Sequence, residues 1–290
     1  MTLQDRAARF AALHVQGCFV LPNAWDLPSA AMCMEAGFEA VGTSSVAVAF
    51  AQGFPDGERI GRDAMLAVAG GMAGRLPLPV SADLEAGYGL APAAVAGTVA
   101  GAVAAGLVGC NIEDSDPAGG GLLDIELAAE RIAAAASAAT AAGLPDFVVN
   151  ARTDPFLCGM TGAEGFAEAV RRANRYLAAG AACAFVPGPG DAATAAALAR
   201  AIAGPLNIMA GGRGDTAPLA ALAAAGVRRI SLGGSLMAAT YGHALAVLRE
   251  IRAAGSFDYA IAGREPFRRL ARFFSPPTSG QPGTREQDNA

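Results

Sequence analysis

Eight short apolar runs, each followed by an alanine-rich segment of helical character, constrain this chain more than any other feature. They lie at residues 18–22, 40–43, 80–83, 109–113, 147–152, 182–186, 206–210 and 229–232. Most are continuous rather than alternating in polarity, the pattern of strands covered on both faces. Gly37, Gly106, Gly143, Gly180 and Gly226 each fall a few residues before the next run, where a helix turns back toward a sheet. Eight such units without a compositional break predict an α/β fold, a single (β/α)8 TIM barrel spanning residues 1–274 with its C-terminal helices. A doubly wound sheet is the competing architecture. It calls for a glycine-rich first turn, whereas the first run leads into Pro22-Asn23-Ala24-Trp25-Asp26.

Composition narrows the chemistry. The chain has 290 residues and no lysine; all 21 basic residues are arginine. That excludes Schiff-base aldolases, pyridoxal phosphate enzymes and a Walker-type phosphate loop. The two histidines, His14 and His243, fall in predicted helices away from the strand ends, which argues against histidine triads and zinc sites. Five cysteines lack metal-ligand spacing, and an odd count suits reduced thiols and a cytoplasmic setting. A net charge of −5 without a basic cluster argues against nucleic acid. Residues 91–110 are low in polarity but lack aromatic or basic flanks, so they read as a buried helix entering a strand, not a membrane span. The first 14 residues read as an amphipathic helix rather than a signal peptide. Residues 259–274 combine aromatics with arginines, which suggests a subunit interface or packing on the barrel itself. Residues 275–290 read as a disordered tail.

Barrel active sites lie where the strands end. Those ends carry Asn23 and Asp26, then Thr43-Ser44-Ser45, Asp83 with Glu85, Glu113 with Asp114, and Asn150, Arg152 and Asp154. The last three ends carry Pro187-Gly188, Gly211-Gly212-Arg213 and Gly233-Gly234-Ser235. The glycine pairs read either as a phosphate cradle or as turn geometry. Asp56, Asp83, Glu85 and Glu113 aimed at one point would repel unless a cation or hydrogen-bonded water held them. Oxygen ligands without His or Cys select a hard ion, Mg²⁺ or Mn²⁺, retained by one or two carboxylates and otherwise by water. Arg152 opposite suits a substrate carboxylate or a developing enolate. Taken singly, each acid could cap a helix and Arg152 could be their counter-ion; the set at successive strand ends favours chemistry.

At these residues the chain resembles the isocitrate lyase/phosphoenolpyruvate mutase superfamily. The matching segments are Leu21-Pro22-Asn23-Ala24-Trp25-Asp26, Gly42-Thr43-Ser44-Ser45, Gly53-Phe54-Pro55-Asp56, Ser81-Ala82-Asp83-Leu84-Glu85-Ala86-Gly87-Tyr88-Gly89, Asn111-Ile112-Glu113-Asp114 and Asn150-Ala151-Arg152-Thr153-Asp154. The resemblance implies a barrel whose last helix swaps between subunits of a homodimer or homotetramer. It implies Mg²⁺ near Asp83, Glu85 and Glu113, and catalytic roles for Asp56, Arg152 and Glu113. It implies a small 2-oxo or 2-hydroxy carboxylate held by Trp25, Asp26, Thr43, Ser44, Ser45, Asn150 and Gly211.

The departure lies in the loop at 115–124, which lacks the Lys, Cys, His or Asn that lyases and mutases of the superfamily place there. Gly188 stands where the lyases carry a glutamate. Cys158 could serve as a thiol acid, but a buried structural cysteine is the favoured reading. Three functions follow. The first is a Mg²⁺-dependent lyase that cleaves a C–C bond by retro-aldol reaction or decarboxylation. The second is phosphonate chemistry, as a phosphoenolpyruvate phosphonomutase or phosphonopyruvate hydrolase, with Arg59, Arg62 or Arg213 on the phosphoryl group. The third is a non-catalytic 2-oxo acid binder.

Overall fold

A computed structural model describes residues 1–118, 120–211 and 216–275. Nine parallel strands form one sheet: β1 (Phe19–Leu21), β2 (Asn23–Ala24), β3 (Val41–Thr43), β4 (Val80–Asp83), β5 (Gly109–Glu113), β6 (Val148–Arg152), β7 (Cys183–Phe185), β8 (Leu206–Met209) and β9 (Arg229–Ser231). Their order is β1-β9-β8-β7-β6-β5-β4-β3-β2. Because β1 runs directly into β2, the two ends of this order meet, and the sheet closes as a (β/α)8 barrel with its first stave split. The split falls at Pro22, which has no N–H for the ladder. Phe19 and Leu21 pair with Arg229 and Ser231 on one side, while Asn23 and Ala24 pair with Gly42 and Thr43 on the other. The single run expected at 18–22 is therefore two short strands.

Asn23 finishes the closure. Its Nδ2 donates to Thr43 O at 2.5 Å, and its Oδ1 accepts from Leu232 N and Gly233 N at 2.7 and 3.0 Å. One amide thus joins the ends of β3 and β9 across the broken stave.

The helices are α1 (Leu3–Ala12), α2 (Leu27–Glu35), α3 (Ser45–Ala51), α4 (Arg62–Arg75), α5 (Pro92–Ala104), α6 (Ile125–Ala141), α7 (Gly162–Ala178), α8 (Ala192–Ala201), α9 (Leu219–Ala224), α10 (Ser235–Ala254) and α11 (Tyr259–Phe274). The five glycines expected as helix stops all adopt positive φ, between 83° and 105°. Outward-facing Ala184, Val186, Ile208 and Ile230 pack with Ala169 and Ala173 of α7 and Leu198 of α8 in one apolar layer.

Helix α1 plugs the base of the barrel. Phe10 is fully buried, and a Cβ on Gly109 would stand 2.8 Å from its ring, so β5 can admit the ring there only with glycine. His14 follows in the same plug, edge-on to Phe10 and Phe19 with both centroid separations 5.0 Å. Its Nδ1 bonds Phe10 O at 2.9 Å, and burial, helped by the Arg229 charge, lowers its pKa to about 3.

The chain divides into two compact units, Met1–Ala244 and Leu245–Ala290. Within the second, Leu248, Phe257, Ile261 and Phe267 are exposed, and among the described residues α11 buries none. The expectation for the 275–290 tail falls, beyond Ser275, outside the described residues. Among those described, no helix is long and apolar enough to cross a membrane.

Candidate active site

The carboxyl ends of β3 to β6 bring together the acids and hydroxyls named from the sequence. Asp83 ends β4 and is fixed by three neighbours. Its N–H donates to Thr43 Oγ1 at 2.8 Å, Ser45 N donates to its Oδ2 at 3.0 Å, and Asn111 Nδ2 donates to its Oδ1 at 3.2 Å. The strand ends on either side, of β3 and β5, therefore hold one carboxylate. Ser44, also buried, donates its N–H to Ala24 O at 3.3 Å.

Glu85 lies two residues further on with φ 51°, a left-handed conformation unusual for a side chain of this size. Glu58 N donates to its Oε2 at 2.6 Å, and Tyr88 N donates to Glu58 Oε1 at 2.6 Å. Glu58 and Tyr88 also have positive φ, 63° and 59°. Three such residues in one hydrogen-bonded group store backbone strain of roughly 1 kcal/mol or more apiece, as functional sites do. Glu85 Oε1 is buried with no partner among the described residues. Burial, then the charge on Asp83, push Glu85 up to about 8. Asp56 sits at the exposed rim; its pKa is raised chiefly by desolvation, with Asp83 adding to it.

On the neighbouring strand, Arg152 ends β6 in register with Glu113 of β5. Its Nε and Nη2 donate to the two oxygens of Asp154 at 2.7 Å each, and its Nη1 stands 2.7 Å from Glu113 Oε2. Burial acts against its charge, but Glu113 and Asp154 outweigh that and hold its pKa above the ordinary value. A guanidinium has five N–H groups, and two remain for a ligand. Glu113 also accepts from Ser115 Oγ at 2.5 Å. Burial raises its pKa to about 7 despite Arg152.

The residues that hold this arrangement had no bracing role assigned from the sequence, although Asp114 was named there at a strand end. Asp114, next to Glu113, accepts from Thr153 Oγ1, Asp154 N and Tyr176 Oη at 2.8, 2.9 and 2.6 Å, and pairs with Arg172 at 3.2 Å. It thereby ties the Arg152–Asp154 turn to α7. Arg131 of α6 donates to Ala86 O and Glu113 O, fixing the segments that carry Glu85 and Glu113. Beneath them Arg229 donates to Asn111 Oδ1 at 3.3 Å, which also accepts from Asn150 Nδ2 at 2.7 Å. A charged residue inside an otherwise apolar run was the available signal for Arg229. Nothing in the local sequence marked Glu58.

Several expected contacts find other employment. Asn150 is fully buried one pleat below Arg152, with its amide bound to Asn111, so it braces the interior rather than facing the mouth. Asp26 caps α2 by accepting from Ser29 N at 2.7 Å. Trp25 is buried, edge-on to Tyr241 at 6.2 Å. Gly211 packs so closely that an added Cβ would lie 2.6 Å from Ser235 Oγ, which supports turn geometry; Gly212 and Arg213 lie outside the described residues. Cys158 is exposed, not buried as expected; partial desolvation and then Asp154 raise its thiol pKa. The 115–124 loop folds back on itself through a Ser115–Leu122 bridge and an Asp116 N to Gly121 O bond of 2.7 Å.

Among the described residues, no three His, Cys, Asp or Glu side chains converge as a complete direct ligand set. Mg²⁺ does not require one, since it keeps several waters and takes one or two carboxylates. The unpartnered buried oxygen of Glu85 and the mutual repulsion among Asp56, Asp83, Glu85 and Glu113 fit a hard cation with oxygen ligands.

Fold and site together define a barrel enzyme with an acid-lined mouth at the carboxyl ends of its strands. The phosphoenolpyruvate phosphomutase family profile matches residues 10–252. The uncharacterized protein Rv1998c of Mycobacterium tuberculosis is 41% identical over 201 residues, covering 69% of this chain and 73% of that one. A Burkholderia cenocepacia J2315 structure, provisionally named a lyase/mutase, superposes with TM-score 0.87 at 39% identity, covering 95% and 98% of the two chains. 2,3-Dimethylmalate lyase, a member of the superfamily, superposes with TM-score 0.80 at 25% identity over 94% and 96%. The chain belongs to the phosphoenolpyruvate mutase/isocitrate lyase superfamily.

Proposed function

We propose that the protein is a Mg²⁺-dependent lyase that cleaves a C–C bond of a small 2-oxo or 2-hydroxy carboxylate through an enolate-like intermediate. The observation that carries this reading is the Arg152 fork, held by Asp154 and Glu113 with two N–H groups to spare, on the same rim as the carboxylates of Asp56, Asp83 and Glu85. Asp83 and Glu85 would hold the cation, with Glu113 reaching it through water. Bound there, it would polarise the C2 oxygen of the acid and neutralise charge that develops on it.

The chain's own groups supply the rest. Arg152 binds the carboxylate next to the reacting bond, and the Thr43–Ser45 segment orients Asp83. Asp56, less acidic than an ordinary aspartate, accepts the proton of a C2 hydroxyl. The C2–C3 bond then breaks, C2 becomes a carbonyl, and the electron pair remains on the leaving fragment as an enolate facing Arg152. For a 2-oxo diacid the bond to the distal carboxyl breaks instead, carbon dioxide leaves, and the electron pair forms the enolate of the remaining 2-oxo acid, with its charge on the C2 oxygen that the cation would neutralise. Decarboxylation asks less of the 115–124 loop, which offers no Lys, Cys, His or Asn as a proton donor.

The exposed apolar side chains of the second unit are proposed to be covered by a second copy, in a dimer or tetramer. All five cysteines are free thiols, in keeping with a reduced, cytoplasmic setting. The test is a panel of oxaloacetate, isocitrate, methylisocitrate, dimethylmalate and phosphonopyruvate, with Mg²⁺ or with EDTA. Turnover of a carboxylate that EDTA abolishes is expected. Turnover indifferent to EDTA removes the metal mechanism, and turnover of phosphonopyruvate alone moves the assignment to phosphonate chemistry.

A further inference from the structure

A cavity of about 800 Å³ opens at the carboxyl end of the barrel, among the segments that follow β6, β7 and β8. Phe156, Leu157, Met160, Phe166, Gly188 and Met209 are among the residues that line it. Its volume is that of a pocket for a small organic molecule, roughly 300–1,000 Å³. None of the described residues lining it carries a charge; its side-chain polar groups are the hydroxyls of Thr161 and Thr194.

Strand pleating connects this cavity to the barrel mouth. Along β8, Ile208 belongs to the outward apolar layer, so Met209, next in the strand, faces inward. Arg152 pairs in register with Phe185, and its guanidinium stands 5.8 Å over that ring. Phe185 pairs in turn with Asn207, two residues before Met209. Arg152, Phe185 and Met209 therefore follow one another around the inner wall, and the last of them lines the cavity.

A second observation concerns Gly188. A Cβ there would lie 2.8 Å from the Cβ of Phe156, and φ is +117°. No side chain can occupy position 188 while Phe156 keeps its place.

We propose that the cavity receives a nonpolar substituent of the substrate, a branched alkyl or aromatic group carried beyond the bond that breaks. This rests on the lyase reading above and sharpens its substrate class. An acid whose far end is a second carboxylate or a phosphoryl group finds no cation among the described lining residues, and its desolvation there goes uncompensated. A group of four to seven carbons finds apolar surface, at roughly a fourfold gain per buried methylene.

The experiment compares kcat/KM, with Mg²⁺, for malate-type and oxaloacetate-type acids whose C3 substituent is hydrogen, methyl, isobutyl, benzyl or carboxymethyl. Isobutyl or benzyl is expected to exceed methyl by about tenfold or more, with carboxymethyl lowest. In Ala163→Trp, which fills the cavity from an exposed position near the start of α7, the ratio of isobutyl to methyl is expected to fall at least tenfold. Met209→Ala provides an independent check, since shortening this wall should move the optimum to a larger substituent. If the smaller acids or the carboxymethyl acid are preferred while EDTA still abolishes turnover, the subsite is overturned and the lyase reading stands. If the ratio is unchanged in Ala163→Trp, the subsite is likewise overturned. If no acid is turned over and none raises the melting temperature in a Mg²⁺-dependent way, the lyase reading fails and the subsite falls with it.

Discussion

Arg152 serves two carboxylates at once, and its geometry separates it from any other cation. One edge of the guanidinium forks onto Asp154, and the remaining nitrogen reaches Glu113. A lysine carries the charge but cannot make both contacts. In Arg152→Lys the protein is expected to fold while kcat/KM falls about 10³-fold or more, because the group facing the developing charge is displaced. Arg152→Ala leaves Glu113 and Asp154 without their cation and is expected to cost about 3–5 kcal/mol of stability, read by denaturant unfolding. Full activity in the lysine variant would remove the role assigned to the fork. The sequence named Arg152 and both its partners from their positions at successive strand ends. It could not say that Asn150 and Asp26, equally polar and equally placed, are bound up in bracing and capping. That depends on which atoms lie within 3 Å, which chain spacing does not specify.

Helix α1 is the element whose role was least legible. Its sequence marks an amphipathic helix, but its partner, the open base of the barrel, exists only once all the staves are in place. His14 reports on that packing. Its folded pKa, about 3, lies below the ordinary value of 6.5, so between these pH values the unfolded chain binds the extra proton. The stabilisation is present above about pH 6.5 and is lost as pH falls toward 3. It is on the order of a few kcal/mol. In His14→Phe, which keeps an aromatic ring against Phe10 and Phe19, the melting temperature is expected to fall less between pH 7 and 4 than in the parent. An identical acid slope in both proteins would show that His14 does not titrate in the plug. The split first stave is the other difference at this scale. Pro22 was visible in the run, but that it leaves a gap for Asn23 to bridge follows only from the neighbours on either side.

Across the whole molecule, the folded protein gathers more carboxylates at the mouth than its nearby arginines neutralise. Glu85 and Glu113 carry folded pKa values of about 8 and 7, above the ordinary 4.5. Their contribution is therefore intact below about pH 4.5 and is withdrawn as pH rises through 7 and 8, when the ionised side chains confront one another. A bound cation reverses this. Calorimetry is expected to show Mg²⁺ or Mn²⁺ raising the melting temperature by several degrees at pH 8.5 and much less at pH 5.5. An equal gain at both pH values would show that ion binding is not linked to these acids. The eightfold repeat of apolar run and helix, with five glycine stops, determined the barrel, because burial on both faces and the left-handed helix stop are written into residue type. The strand-end acids and Arg152 likewise determined which rim would be charged. Only the tertiary structure decided that Asp114, Arg131, Glu58 and Arg229 hold those groups, and that Phe156 and Gly188 line an apolar space at the same end of the barrel. Each of these depends on groups between 18 and 118 residues apart meeting in a closed barrel, and local sequence carries no record of such meetings.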